Sequence, residues 1–549
     1  MSAVRDEPTT APTTSSTTAT TTSAAPAAPD GETLEHLDVV IVGAGLSGIG
    51  AAHHVLTSCP WATFAVFEAR DTIGGTWDLF RYPGIRSDSD MFTLGYPFRP
   101  WTGERSIADG PSILRYIRET AAEDGTDRHI RFRHRIVRAD FDTEAGRWTL
   151  DVERPVTDAD VGSGSGDGRG ETTELVSVTC SWLFSCSGYY RYDRGYLPDF
   201  PGMGDFRGEL VHPQFWPEDL AYAGKRVVVI GSGATAITLV PAMAKDAEHV
   251  TMLQRSPTYV ASLPSRNPTT RLIRRLTPRR FEGTVLRWVN ALTTQCFYEL
   301  SRRRPAFVKR ALRKGVEREL PPGYDVDTHF TPRYDPWDQR LCVVTDGDLF
   351  RGIRDGRVEV VTDHVETFTA TGLRLRSGRE LDADVIVTAT GLDLLFVGGI
   401  ELSVDGEPVD VASRMAYKGM MLEGVPNFAM AIGYTNASWT LKSDLTCTYV
   451  TRLMNELHAS GTTTCTPVNE GVAPSDASLL GLTSGYVLRA ADRFPRQGVR
   501  FPWQVYQSYL RDHRMVRRGG IGDSLVFSGS RRPARPADAR QVVAHAGGR

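Results

Sequence analysis

Apolar residues along this chain fall into short, nearly unbroken runs, several of them stopped by glycine. Leu37–Val42 is one such run, the pattern of a parallel strand buried on both faces. It leads into Gly43-Ala44-Gly45-Leu46-Ser47-Gly48 and then into helix-compatible residues as far as Leu56. A second run, Thr63–Phe67, ends at the acid Glu68, 20 residues beyond Gly48. The arrangement recurs later. Arg226–Ile230 precedes Gly231-Ser232-Gly233-Ala234-Thr235-Ala236, an apolar helical run starting at Ile237 follows, and Val250–Leu253 ends in Gln254-Arg255-Ser256. Between and beyond these units, alternating positions predict strands over Ile130–Asp140 and Trp148–Glu153. Trp182–Gly188 reads as a buried strand returning to the first sheet. Glu359–Val361, Leu373–Leu375 and Val385–Thr388 read as further strands, and Pro111–Thr120 and Thr284–Tyr298 as helices. Glycines, a proline and acids make Gly74–Asp90 an irregular loop. The fold class predicted is α/β, with two Rossmann-like dinucleotide-binding domains and a helical insert.

The chemistry of each glycine turn follows from its setting. In the first, Gly43 permits the tight turn, Gly45 lets a pyrophosphate approach the backbone, and Gly48 lets helix and strand pack closely. The helix start then offers N–H groups and a positive dipole end to phosphate. Glu68 stands where a ribose hydroxyl needs an acceptor. The second unit has Arg255 and Ser256 at that place, and a guanidinium pairs with a 2′-phosphate that a carboxylate would repel. The contrast predicts FAD on the first unit and NADPH on the second.

The domain boundaries expected are a disordered leader at 1–36, a first FAD-binding part at 37–190, an NADPH-binding domain at 191–384, a second FAD-binding part with the C-terminal segment at 385–530, and a disordered tail at 531–549. The leader and tail are too poor in apolar side chains to offset the entropy of ordering. A Gly/Ser/Asp-rich stretch at 160–171 reads as an exposed hairpin loop. The formal net charge of −3 points to no nucleic-acid partner. The seven cysteines are odd in number and form no C-x-x-C pair, which fits a reducing, cytoplasmic setting. His53 and His54 have no metal-ligand spacing around them, so no metal is expected. No stretch is a convincing membrane span. The insert at about 265–330 is basic, however, with fifteen Lys/Arg against three Glu between Arg266 and Arg318. It suits either a solvated helical subdomain or contact with an anionic surface at the inner face of a membrane.

Two further strings carry a resemblance. Phe206–Pro217 reads F-x-G-x-x-x-H-x-x-x-W-P, and Gly74–Asp88 reads G-G-x-W-x-x-x-x-Y-P-G-x-x-x-D. With the two nucleotide turns, these resemble the class B flavoprotein monooxygenases, specifically the type I Baeyer–Villiger monooxygenases, from about Leu37 to Arg518. RYPGIRSDSD, VVVIGSGATA, PWDQRLC and GYTNASWTLKSDL are similar to its ethionamide-activating subgroup. The resemblance implies that NADPH reduces the flavin, which meets O2 to give a C4a-peroxyflavin. That oxidant converts ketones to esters or lactones and oxygenates sulfur in sulfides and thioamides. It implies that Arg340 stabilises the negative charge that develops and that Asp88 holds and tunes Arg340. It places Ser47, Glu68, Thr76, Trp77, Asp78, Leu79 and Ile136 at FAD. It places Arg86, Ser87, Asp88, Gly231 through Ile237 (including Ser232, Gly233, Ala234, Thr235 and Ala236), Arg255 and Ser256 at NADP. His212 would position the linker between the two domains.

Three other readings compete with this one. A flavin monooxygenase confined to nitrogen and sulfur nucleophiles would not need Trp216-Pro217 or the complete Gly74–Asp88 string. A disulfide reductase needs a paired redox cysteine motif, which is absent from the sequence. A flavin-binding sensor would bind both nucleotides and show no substrate-linked oxygen uptake.

Overall fold

The structure, a computed structural model, describes residues 34–156 and 173–530. The expected hairpin loop at 160–171, the tail at 531–549 and nearly all of the expected leader lie outside the described residues. The first strand begins at His36, the last residue assigned above to the leader.

Two sheets carry the fold. In the first, His36–Val42 lies between Phe64–Glu68 and the end of Thr173–Ser185, parallel to both. Ile130–Phe132 extends it beyond Phe64–Glu68. The long strand Thr173–Ser185 serves two further neighbours. Its first part pairs antiparallel with Arg147–Pro155, which pairs in turn with Arg135–Asp142. Its last residues pair parallel with Phe428–Met430, more than 240 positions away in sequence. The helix after the first turn, Leu46–Ser58, packs on the long helix Trp439–Ser460. Leu445, Val450 and Leu453 of the latter share one buried cluster with Ile49, Ala52 and Val55 of the former. Chain from beyond residue 400 therefore completes the first unit.

The second sheet is all parallel, in the order Val358–Thr362, His249–Gln254, Arg226–Ile230, Val385–Thr388, Glu209–Val211. Its strands are apolar because both faces are covered, one by helices that include Ala234–Met243 and the other by the antiparallel strands Val365–Thr369, Gly372–Leu375 and Glu380–Asp382. Between His249–Gln254 and Val358–Thr362 the chain makes five helices, and the first three, Pro268–Leu276, Arg279–Arg303 and Pro305–Glu319, form the basic insert.

Three expectations need correction. Val385–Thr388 belongs to the second sheet, paired with Arg226–Ile230, so a boundary before Val385 falls one strand too early. Ile130–Asp140 is two strands, Ile130–Phe132 and Arg135–Asp142, which turn to different neighbours. The break falls at Arg133, whose positive φ of 58° no strand accommodates. Gly74–Asp90 contains one helical turn, Thr76–Leu79, inside its irregular path.

The glycine turns fold as their spacing requires. A Cβ on Gly48 would lie 1.7 Å from the carbonyl oxygen of Gly43, so only glycine brings helix and turn this close. The loop Phe80–Gly84 leans on the second unit. Phe80 and Tyr82 join the cluster around Val227, Ile237 and Val240, and a Cβ on Gly84 would meet Ala242 at 2.6 Å. The string that begins at Gly74 in the first unit thus runs across to the second before reaching Asp88.

Candidate active site between the two nucleotide units

A cavity of about 710 Å³ opens at the carboxyl ends of the first sheet's parallel strands. Gly43, Gly45 and Ser47 form one end of it, and Asp88 and Arg340 line it as well. The helix Leu46–Ser58 begins there with Gly45 at its N-cap and no side-chain cap, leaving backbone donors for a ligand. Glu68 is buried at the end of its strand and lines the cavity. Its carboxylate accepts from the Ala44 N–H at 2.7 Å and the Arg70 N–H at 2.9 Å. Burial pushes its pKa above the ordinary carboxylate range, and the two N–H donors pull it back in part. Capless helix, close backbone and acidic acceptor fit the phosphates and ribose of a dinucleotide.

Thr76, Trp77 and Ile136 also line the cavity, whereas Asp78 and Leu79 do not. Asp78 is a buried hub, held by Arg70 at 2.6 Å and Arg118 at 3.0 Å. It ties the Thr76–Leu79 turn to the helix Gly110–Asp124.

Asp88 and Arg340 come from opposite units and meet in the cavity wall. The Arg340 guanidinium lies 2.9 Å from the Asp88 carboxylate. Both side chains are about one-third exposed, and both line the cavity. Asp88, first, holds Arg340 protonated well above the ordinary guanidinium range, against the cost of desolvation. Tyr189, Tyr190 and Tyr486 surround it. Two residues on, Cys342 begins the strand Cys342–Thr345, paired with Val260–Leu263. The Cys342 thiol points to the Ser232 carbonyl at 3.8 Å. The segment bearing Arg340 is thereby fastened to the second glycine turn.

The second turn is built like the first. Ala234–Met243 starts from Gly233 with no side-chain cap, and nothing lies within 4 Å of a Cβ placed on Gly233. Arg255 and Ser256 are exposed beside it, and the Ser232 hydroxyl donates to the Ser256 carbonyl at 3.3 Å. The side chain of Thr235 bonds Tyr82 of the crossing loop. Arg86 is engaged elsewhere, with Asp348 at 2.5 Å. Ser87 lines the cavity, but its hydroxyl already accepts from the Ala108 N–H at 3.3 Å. His212 lies outside the cavity, at the join, where its Nδ1 accepts from the Gln214 N–H at 3.2 Å.

Tyr434, Thr435, Ala437 and Trp439, from the string GYTNASWTLKSDL, also line the cavity. Trp439 donates its indole N–H to the Ser47 hydroxyl at 2.8 Å, closing the wall on the first turn. Tyr189, Tyr190 and Tyr192 were missed. The signal available was the string Gly188-Tyr-Tyr-Arg-Tyr directly after a buried strand, since that end of a parallel sheet faces ligands. Tyr434 is held by a deeper network. Its hydroxyl donates to Asp512 at 2.7 Å, and Asp512 also takes Lys442 at 2.7 Å, all buried.

Comparison with known proteins fits this geometry. A model of the flavin-binding monooxygenase-like family matches residues 110–404, and one of a Rossmann-like NAD(P)-binding domain matches residues 41–106. The FAD-containing monooxygenase EthA of Mycobacterium tuberculosis is 52% identical over 502 residues, 91% of this chain and 99% of that protein. The probable FAD-binding monooxygenase AlmA of Acinetobacter baylyi is 45% identical over 494 residues, 90% of this chain and 96% of its own length. Among solved structures, an oxidised steroid monooxygenase bound to NADP has the same fold, with a TM-score of 0.69 at 23% identity over 90% of this chain and 99% of that one. With two glycine turns that each open a helix without a side-chain cap, and with these matches, the chain belongs to the flavin-binding monooxygenase-like family.

Proposed function

We propose that this protein is an NADPH- and O2-dependent FAD monooxygenase that performs Baeyer–Villiger oxidation, converting ketones to esters or lactones, with oxygenation of sulfides and thioamides as a second activity. The observation that carries the reading is the Arg340–Asp88 pair facing the cavity. Bound flavin, once reduced, supplies the activation of O2 and the transfer of one oxygen atom. The chain's own groups supply position and charge. Gly43, Gly45, Ser47 and Gly48 hold and shape the first phosphate turn, and Glu68 takes the ribose. Thr76, Trp77 and Ile136 line the remainder of that site, with Asp78 and Leu79 shaping it from behind.

Gly231 through Ile237 receive the second nucleotide. Arg255 and Ser256, exposed beside Ser232, take its 2′-phosphate, and Ser87 and Asp88 bring the crossing loop towards its nicotinamide end. Arg86 acts through Asp348 in fixing that loop. Arg340 is the fixed cation for negative charge that develops on oxygen during attack on a carbonyl. It stays protonated at any working pH, and Asp88 orients it. An oxygenase confined to soft sulfur or nitrogen nucleophiles has less need of such a cation.

The relatives and solved structures are flavin monooxygenases, which supports both cofactors for this chain. The test supplies NADPH and O2 with a panel of ketones and sulfides and identifies the products. Esters or lactones are expected beside sulfoxides. Sulfoxides alone, with every ketone returned unchanged, would move the assignment to a heteroatom oxygenase.

A further inference from the structure

The helical insert turns an apolar stripe away from the rest of the protein. Helix Arg279–Arg303 buries Leu286, Arg287, Ala291 and Ser301. Phe281, Leu292, Cys296 and Leu300 are exposed, and a period of 3.6 places them along one outer face. The preceding helix adds Leu272 and Leu276, one turn apart and 56% and 73% exposed. A merely solvated surface would carry polar side chains at these positions, and contiguous exposed Leu and Phe mark an interaction site.

Charge narrows the kind of partner. Arg271, Arg275, Arg279 and Arg280 are all exposed around the corner between the two helices. Among the described residues none of the four has an acidic ion-pair partner, because the acid of this stretch, Glu282, is taken by Arg274 at 2.9 Å. The Arg280 guanidinium sits over the Phe281 ring, 4.7 Å from its centroid. The orientation of the stripe is fixed from behind. Arg287 donates to the carbonyls of Thr93 at 3.1 Å and Gly95 at 2.6 Å, and a Cβ on Gly283 would meet Pro100 at 2.5 Å. The helix cannot roll its apolar face inward without breaking these contacts.

We propose that this face docks on an anionic lipid surface. Leu272, Leu276, Phe281 and Leu292 enter the headgroup boundary, and Arg271, Arg275, Arg279 and Arg280 meet lipid phosphates. Apolar side chains rimmed by unpaired cations are the composition of a helix lying in a membrane interface. A two-fold contact between copies of the chain would set the arginine corner against itself. The 25 residues of Arg279–Arg303 extend about 37 Å along the surface. No helix among the described residues is long and apolar enough to cross a membrane, so the contact lies on one leaflet. The proposal is independent of the chemistry in the cavity.

Flotation of the flavin-loaded protein with vesicles tests it, comparing phosphatidylcholine alone with a phosphatidylcholine–phosphatidylglycerol mixture. Binding is expected to the mixed vesicles only, and to fall as salt rises. Each cation near such a surface contributes on the order of 5-fold, so R275Q/R279Q should lower partitioning roughly 25-fold. L276S/F281S should also release the protein. Cys296, the one exposed cysteine, accepts an environment-sensitive dye whose emission should shift to the blue on the mixed vesicles. Unchanged flavin content and NADPH oxidation in vesicle-free buffer show that the variants fold. Absence of binding, equal binding to neutral vesicles, or wild-type binding by R275Q/R279Q overturns the proposal. A solution dimer that L276S/F281S dissociates overturns it too, in favour of a second copy of the chain.

Discussion

Replacing Arg340 by alanine should separate flavin reduction from oxygen transfer to a ketone. The guanidinium faces the cavity and is held 2.9 Å from Asp88. A unit charge about 4 Å from a developing anion, at an effective dielectric near 20, contributes about 4 kcal/mol. That is about three decades in rate, at the upper end of the 10²–10³ typical for one oxyanion donor. The truncation also leaves the Asp88 carboxylate in the wall without its partner, so like charges would face each other during reaction. Flavin reduction by NADPH develops no such anion on the substrate. Anaerobic stopped-flow absorbance should therefore show reduction at about the wild-type rate. Ester formation from a ketone should fall by about 10³. Arg340→Lys keeps the charge but loses the planar fork, and should recover only part of the loss. Ester formation by Arg340→Ala above about a tenth of wild type would refute the electrostatic role. A parallel loss of flavin reduction would instead make Arg340 a structural residue.

Other perturbations read other parts of the account. Arg255→Gln should raise the Michaelis constant for NADPH on the order of 10–100-fold, the range of one charged hydrogen bond, and leave that for NADH nearly unchanged; equal effects would remove the 2′-phosphate assignment. Asp512→Ala leaves Lys442 buried without its partner and should cost about 3–5 kcal/mol of stability, measured by denaturant unfolding. Pairing it with Lys442→Met should restore much of that loss, and no restoration would mean the pair is not the source. Lys418 gives a pH signature. Its side chain is 1% exposed, and burial pushes its pKa down to about 8. The unfolded chain keeps that proton to about 10.4, so stability should rise between pH 8 and 10.4, by about 3 kcal/mol in total. Lys418→Met should lack this rise, and an identical pH profile for both proteins would contradict the assignment.

The features legible in the sequence share a physical origin. A glycine turn between a buried strand and a helix permits few alternatives, so Gly43 to Gly48 and Gly231 to Ala236 could be located with their elements. The residues at the ends of the second strands, Glu68 and Arg255, could be placed by chain length alone. What escaped depends on long-range contact. Nothing local says that Asp78 gathers Arg70 and Arg118, or that Lys442 meets Asp512 across 70 residues. Val385–Thr388 is an apolar run whose sheet is decided by Arg226–Ile230, not by its own residues. The split at Arg133 needed a left-handed residue that an alternating pattern does not advertise. The outward stripe of the insert was visible as mixed basic and apolar composition. Its direction became clear only once Arg287 and Gly283 were seen fixing the helix from behind.

The measurement that bears most directly on the central claim is the mass spectrum of the product formed from a simple ketone by the flavin-loaded protein with NADPH under isotopically labelled O2. The account predicts an ester or lactone carrying one labelled atom in the newly formed C–O–C linkage, with its formation dependent on Arg340. Unaltered ketone with NADPH consumed, or an ester whose new oxygen comes from water, would contradict it.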